Sequence, residues 1–328
     1  MKRSARRLTP AIAVLVLWCA LGCQTAGLRF LSLIGVEGHP LSVALVTDEP
    51  ATAAARAFDL FPSYAALQRA LSERLLRPVA VDVCFPFQVA GSLRSGWYDV
   101  AAVTPAQYAM LSELPELRVL AVTVDEQGQA ARSAVLVVPA QSEVRAPADL
   151  RGLVVAFGPA GDNRTVYAGL LLLQEAGLRK TDLSLELLPV PGGLKHFPDM
   201  RSVAQAVING SAAAGFVDEA AWIAFPERAD QEGEPARDAL RVIARTVALP
   251  NRLMVASPKL DAPTAEQVRT FLLSVGRDHP ELVKPLAIAG YAPPTEELLA
   301  DCRRLGSVVA PAPAEKAEST SQPTAKQP

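Results

Sequence analysis

Short apolar runs alternate with segments of helical periodicity along this chain, and the alternation comes in two series. In the first series, Leu41 to Val46 is an apolar run of strand length. Ser63 to Leu76 carries Tyr64, Leu67, Leu71 and Leu75 at helical spacing. Val79 to Val83 predicts a second strand, Val89 to Arg94 a short helix, and Tyr98 to Val103 a third strand. Pro105 to Leu114 predicts a helix with proline in its first turn, where a missing N–H leaves no bond unmade. Leu117 to Val124 and Ala134 to Val138 read as further strands. The second series runs Leu153 to Phe157 (strand), Thr165 to Ala176 (helix, closed by Gly177), Leu185 to Val190 (strand), Ser202 to Asn209 (helix), Ala213 to Val217 and Leu240 to Ala244 (strands). Thr264 to Val275 predicts a late helix. Such alternation builds α/β layers with mostly parallel sheets. Two series, 40–135 and 150–250, predict two lobes.

The ends of the chain read differently. A basic start (MKRSARR), an apolar run from Ala11 to Leu21 and the pair Gly22-Cys23 have the layout of a secretory signal peptide. The run is about half the roughly 20 residues that a membrane-spanning helix needs. Ala20-Leu21-Gly22-Cys23 resembles the lipobox of bacterial lipoproteins, in which the signal is cut before a cysteine that then carries lipid. The expectation is a leader over 1–23 with lipidation at Cys23; an uncleaved anchor or plain secretion are the alternatives. Residues 24–39 read as a tether, and the body of the chain is expected in the periplasm or at the cell surface. From Gly306 the chain turns to Pro, Ala, Glu, Lys, Ser and Thr, which predicts a disordered tail over 306–328.

The formal net charge of -2 and the absence of basic clusters outside the leader give no electrostatic case for nucleic acid. Beyond the leader only Cys84 and Cys302 remain, which leaves a disulfide or two buried thiols. Three histidines and no paired Cys/His spacing predict no metal site. There is no G-x-S-x-G, no H-E-x-x-H and no phosphate-binding loop of the Gly-x4-Gly-Lys-Ser/Thr kind. His39 and His279 read as surface residues. No enzyme is predicted, and no cofactor.

Several stretches, in order, resemble the phosphonate/phosphite-type substrate-binding proteins of ABC transporters. Gly96 to Tyr108 (GWYDVAAVTPAQY) is similar to the family's G-x-x-D-[VI]-A…P-x-x-Y run. Asp149 to Phe157 (DLRGLVVAF) is similar to its D-L-[RK]-G-x-x-V-A-F segment. Glu175-Ala-Gly177, Asn209-Gly210 with Val217-Asp218, and Gly290-Tyr-Ala-Pro293 match later positions. The resemblance spans roughly 40–300. It implies the type II periplasmic binding protein fold, with lobe 1 at about 40–135 plus a C-terminal part, lobe 2 at about 140–250, and a ligand cleft between them. Ligands of open α/β sheets lie beyond the C-terminal strand ends, where helix N-termini attract anions.

The resemblance also implies a site, with departures. The loop Gly158 to Thr165 stands where the family holds a phosphonate with hydroxyls and N–H groups. Here those positions are Asp162, Asn163, Arg164 and Thr165. Asp162 repels an anion, and Arg164 is positioned to offset it with a bidentate grip. A family histidine is replaced by Met200, with His196 slightly earlier as a candidate, or a surface residue. A later acidic residue is replaced by Ala213, while Asp218 remains at a contact position. Phe85, Phe87 and Tyr108 are cleft candidates from lobe 1, with a core role as the alternative; Trp97 and Trp222 read as packing residues. Pro191 to Gly193 reads as a hinge, a cleft turn or a plain loop. The expected ligand set is therefore Phe87, Tyr108, Asn163, Arg164, Thr165, His196 and Asp218. The expected function is that of a monomeric, lipid-anchored binding protein that passes a small oxyanion (phosphonate, phosphite or phosphate-like) to an ABC permease. The alternative is a ligand sensor or scaffold without a transport role.

Overall fold

A computed structural model describes residues 39–46, 64–111, 114–186, 193–228 and 235–309. The leader, residues 24–38 of the tether, most of the predicted strand 185–190, the Pro191-Gly192 turn and residues 310–328 lie outside these. Along the chain come β1 (Leu41–Val46), α1 (residues 64–75), β2 (Val79–Cys84), α2 (Pro86–Ser95), β3 (Val100–Val103), α3 (Pro105–Leu111) and β4 (Arg118–Asp125). The chain then enters β5 (Ala134–Pro139), β6 (Val155–Phe157), a wide turn of π type (Asn163–Tyr167) running into α4 (Ala168–Glu175), and β7 (Lys195–His196). There follow α5 (Met200–Ile208), β8 (Ala214–Asp218), α6 (Glu219–Ala224) and β9 (Leu240–Arg245). Last come β10 (Leu253–Ala256), α7 (Ala262–Asp278), α8 (Pro280–Val283), β11 (Ile288–Ala292), α9 (Glu296–Arg304) and α10 (Gly306–Val309).

The strands form two sheets, β11-β4-β10-β3-β1-β2 and β7-β6-β8-β5-β9. The expectation of mostly parallel sheets needs correction. β1 runs parallel to β2 and β3, and β6 to β7 and β8, but β10, β11, β5 and β9 all make antiparallel pairs. Connectivity supplies the reason for β5 and β10. Each receives the chain from the other lobe, so it enters its sheet at the edge where the parallel strands end and runs against them.

Alternation along the strands divides each sheet into two buried faces. In the first lobe, Val43, Val81, Ala102 and Met254 face α1 and α7, while Ala44, Val46, Val103 and Val255 face α2, α3 and α9. In the second, Leu136, Phe157 and Phe216 face α4, and Val135, Ala156 and Val217 face α5. Sheets covered on both faces read as continuous apolar runs, which is why they were visible in the sequence. α7 lies unusually close to β11: a Cβ on Gly276 would sit 2.3 Å from the Ala289 carbonyl oxygen, so glycine is required there.

The first residues of the stretch that composition assigns to the tail are helical. Residues 306–309 form α10, because Val308 and Val309 pack against the core that also holds Tyr108, Leu111, Cys302 and Leu305. The same core includes Ala168 and Leu171 of α4, so the C-terminal helices bind both lobes through apolar contact. Ser307 Oγ adds a bond to Gln174 Oε1 at 3.1 Å. Cys84 and Cys302 are free and buried, and burial pushes their thiols up to about 11 and about 12. They are structural rather than reactive.

Two segments cross between the lobes and pair where they meet. Arg132 N–H donates to Leu249 O at 3.0 Å, and Leu249 N–H to Arg132 O at 2.8 Å. Thr246 Oγ1 accepts from Ala134 N–H at 2.8 Å. The first segment turns through Asp125, whose carboxylate pairs with the Arg132 guanidinium and accepts from the N–H groups of Gln127 and Gln129. Burial pushes the Asp125 carboxyl up, but these donors more than offset it and hold it below the usual carboxylate range. The stability it contributes is therefore complete above its unfolded value, about 3.9, and is lost as pH falls through the lower folded value. Asp125→Asn leaves Arg132 without its buried partner at a cost of about 3 kcal/mol. The melting temperature should fall by at least about 5 °C at pH 7, and a pH series should show the gap to wild type closing below about pH 4.

Candidate functional site

An open cleft of about 660 Å³ lies between the lobes. Thr104, Gln107 and Met110 line it from the first lobe, and residues 159–163 with Tyr167 from the second. Arg252, which follows the second crossing segment, and Val309 of α10 complete the wall. Each lobe presents the N-terminal end of a helix here, because β3 leads into α3 and β6 leads into the wide turn before α4.

The protein's own side chains satisfy both ends. On the second lobe, Asp162 Oδ1 accepts from Arg164 N–H (3.1 Å), Thr165 N–H (2.7 Å) and the Thr165 hydroxyl (2.7 Å). These are N–H groups at the position where the family resemblance expects an oxyanion. A carboxylate already fills that cradle, with the charge that a helix N-terminus favours. On the first lobe, Thr104 and Gln107 form a reciprocal cap: Thr104 N–H donates to Gln107 Oε1 at 2.9 Å and Gln107 N–H to Thr104 Oγ1 at 3.3 Å. The next amide of α3, that of Ala106, donates across the cleft to Asn163 Oδ1 at 2.8 Å.

Of the seven expected ligand residues, Asn163 lines this cleft. Arg164 instead pairs with Asp218 at 2.9 Å and hydrogen-bonds Asn251, so its cation is matched within the protein. Asp218 also caps α6 through a bond from Ala220 N–H at 2.9 Å. Thr165 is fully buried beneath the loop, where a Cβ on Gly158 would lie 2.5 Å from its hydroxyl. Tyr108 is buried in the core shared by the lobes and is hydrogen-bonded to Arg303 of α9. Phe87 is exposed and stacked on Phe85, their ring centroids 5.8 Å apart. His196 lies on β7 and donates from Nδ1 to the Gly158 carbonyl at 2.9 Å. The methionine at the family's histidine position packs inward: Met200 Sδ accepts from Asp218 N–H at 3.3 Å.

Arg252 is a candidate site residue that the sequence reading missed. Its guanidinium donates to the carbonyls of Val46 (3.0 Å) and Ala102 (3.5 Å), at the C-terminal ends of β1 and β3. Among the described residues no carboxylate pairs with it. No motif marks it, since it is a lone basic residue in a Pro-Asn-Arg-Leu run. Thr104 and Gln107 did carry a signal, the T-x-x-Q spacing of a capping box. Among the described residues, no group of His, Cys, Asp and Glu is placed to hold a metal ion, and no helix is long and apolar enough to cross a membrane.

The model of one family, described as the periplasmic phosphonate substrate-binding protein of ABC transporters, matches residues 54–299. A search of curated proteins finds no match. Among solved structures, XAC2383 from Xanthomonas citri bound to ATP is similar at 17% identity and a TM-score of 0.59, covering 83% of this chain and 97% of that one. PhnD1 from Prochlorococcus marinus in complex with methylphosphonate is 14% identical, with a TM-score of 0.52 over 82% and 97% of the two chains. A binding protein component of a phosphonate ABC transporter from Pseudomonas aeruginosa is 13% identical, with a TM-score of 0.50 over 83% and 87%. At these identities the likeness concerns the fold, that of type II periplasmic binding proteins.

The Asp162 cap generates a prediction in two parts. Asp162→Ala should cost about 1–2 kcal/mol of stability, read as a lower melting temperature. It should also open the amides of Arg164 and Thr165 to an external anion, so that affinity for inorganic phosphate, measured by calorimetry, rises about tenfold or more. An unchanged phosphate affinity would show that the cap is not what excludes the oxyanion.

Proposed function

The chain belongs to the phosphonate family of periplasmic substrate-binding proteins of ABC transporters, and from that premise we propose that it is an extracytoplasmic lipoprotein, anchored through Cys23, that takes a small anionic solute between its lobes and delivers it to an ABC permease. The family is one of transport proteins, not enzymes, and it works outside the cytoplasm. The observation that carries the anionic part is Arg252, a cation on the cleft wall whose described partners are carbonyl groups. Arg164, already paired with Asp218, is a weaker candidate. Methylphosphonate bound to PhnD1 is consistent with an anion on this fold. Closure follows from hinge motion about the crossing segments.

A second reading has its own observation. The bond from Ala106 N–H to Asn163 Oδ1 joins the lobes through the protein's own groups. A cleft held this way suits a sensor or scaffold that responds weakly to solute.

Thermal melting of the purified full chain against phosphate, phosphite, alkylphosphonates, sulfate, carboxylates and neutral solutes separates the two. A ligand at 100 times its dissociation constant adds about 2.7 kcal/mol, a rise of several degrees. An anion that produces the rise in wild type and not in Arg252→Gln supports the transport reading. No rise with any solute, or one indifferent to Arg252→Gln, overturns the anionic site. Cys23→Ser should move the protein from the membrane fraction to the soluble fraction; retention at the membrane would refute the lipid anchor.

A further inference from the structure

Arg252 lines a second space besides the cleft. Inside the first lobe, between the sheet face formed by Val43, Val81, Ala102 and Met254 and the helices α1 and α7, lies a cavity of about 220 Å³. Its walls are apolar over most of their length, with Leu71 and Leu272 opposite the sheet. One end is polar. Tyr64, Thr123, Asn251, Arg252 and Tyr291 line it there, where β1 and β3 end. Burial pushes the Tyr64 and Tyr291 phenols up, and the Arg252 charge beside them opposes the rise. Both phenols therefore stay neutral, and a neutral phenol is a hydrogen-bond donor.

An apolar cavity of about 150 Å³ is large enough to hold benzene. This one is larger, and it has what a simple packing void lacks: a guanidinium and two phenols at one end. Pockets of this build, apolar with a few convergent polar groups, are the usual form of small-molecule sites. Among the described residues one charge stands at the polar end, so it matches a single negative charge; Asp162 in the adjoining cleft disfavours a doubly charged head.

We propose that the solute is a monocarboxylate with an aliphatic or aryl tail, its head on Arg252 and its tail in the cavity of the first lobe. This rests on the reading of Arg252 as the anion's partner and adds where the rest of the solute goes. The cleft alone would recognise the charge and be indifferent to the tail. The cavity makes affinity depend on tail length, because each buried methylene contributes about fourfold.

Calorimetry with acetate, butanoate, hexanoate and octanoate on the full chain tests this without any variant. Affinity should rise about fourfold per methylene until the cavity is full and then level off. A series with no dependence on length overturns the cavity site while leaving Arg252 as an anion partner. No binding at any length overturns the carboxylate proposal, and the melting panel with phosphate, alkylphosphonates and sulfate then decides whether Arg252 partners another anion. Two variants then locate the parts. Ala102→Leu, which fills the cavity, should flatten the series while leaving acetate unchanged; Val81→Phe serves the same purpose if the first variant melts early. Arg252→Gln should weaken every member about tenfold or more without changing the slope. A length dependence that survives both filling variants places the tail elsewhere and overturns the proposal. A length dependence that the filling variants abolish, together with affinities that Arg252→Gln leaves unchanged, keeps the cavity and removes Arg252 as the head's partner.

Discussion

Two crossing segments bound to each other at Arg132 and Leu249 set the geometry on which the rest of this molecule depends. They bring β5 and β10 into their sheets from the cleft edge, which makes both strands antiparallel to their neighbours. They also deliver Asn251 and Arg252 to the boundary between the lobes, where Asn251 meets Arg164 and Arg252 meets the ends of β1 and β3. The Asp125–Arg132 pair stiffens the turn from which the first segment leaves. A second connection, made by α9 and α10, is mostly apolar and joins α3 to α4. Its exposed ion pair, Arg304 with Glu175, adds little in water.

Between the lobes, the chemistry turns on which donors are already engaged. Helix N-termini are ready anion sites when their N–H groups are open. Here Asp162 takes those of the second lobe, and Gln107 with Asn163 takes those of the first. The family architecture is kept, while its expected anion cradle is filled from within. Among the described residues, Arg252 is the cation that lines both the cleft and the cavity of the first lobe. A charge shared by a polar cleft and an apolar cavity favours a solute that has both characters.

The legible parts of the fold were those with dense local signals. The buried strands β1, β3, β5 and β6 appear as apolar runs because both faces of each sheet are covered. α7 appears through its periodicity and begins at Asp261, a side-chain cap on Thr264 N–H. β10, β11, α6 and α9 were missed. β10 has four residues, and β11 reads as Ile-Ala-Gly-Tyr-Ala, too short and too mixed for a period to emerge. The strand expected at 185–190 has one described pairing, Glu186 with Gly193, and the strand that completes the second sheet is Lys195–His196. Two polar residues hold that place through backbone pairing with β6 and side-chain bonds to the Gly158 and Ser211 carbonyls, which composition does not reveal.

For the site, the sequence by itself determined the α/β class, the two-lobe organisation, the family and the loop 158–165 as a helix entrance. It also marked Asp162 as hostile to an anion, since like charges repel whatever brings them together. Only the tertiary structure decided what the neighbouring groups do. Arg164 turned to Asp218, Tyr108 and Thr165 went into packed interiors, and Arg252 came to the cleft from a segment nearly ninety positions away. The physical reason is that residue type sets which bonds a side chain can make, whereas the partner it meets is chosen by strands and helices folding in from distant parts of the chain.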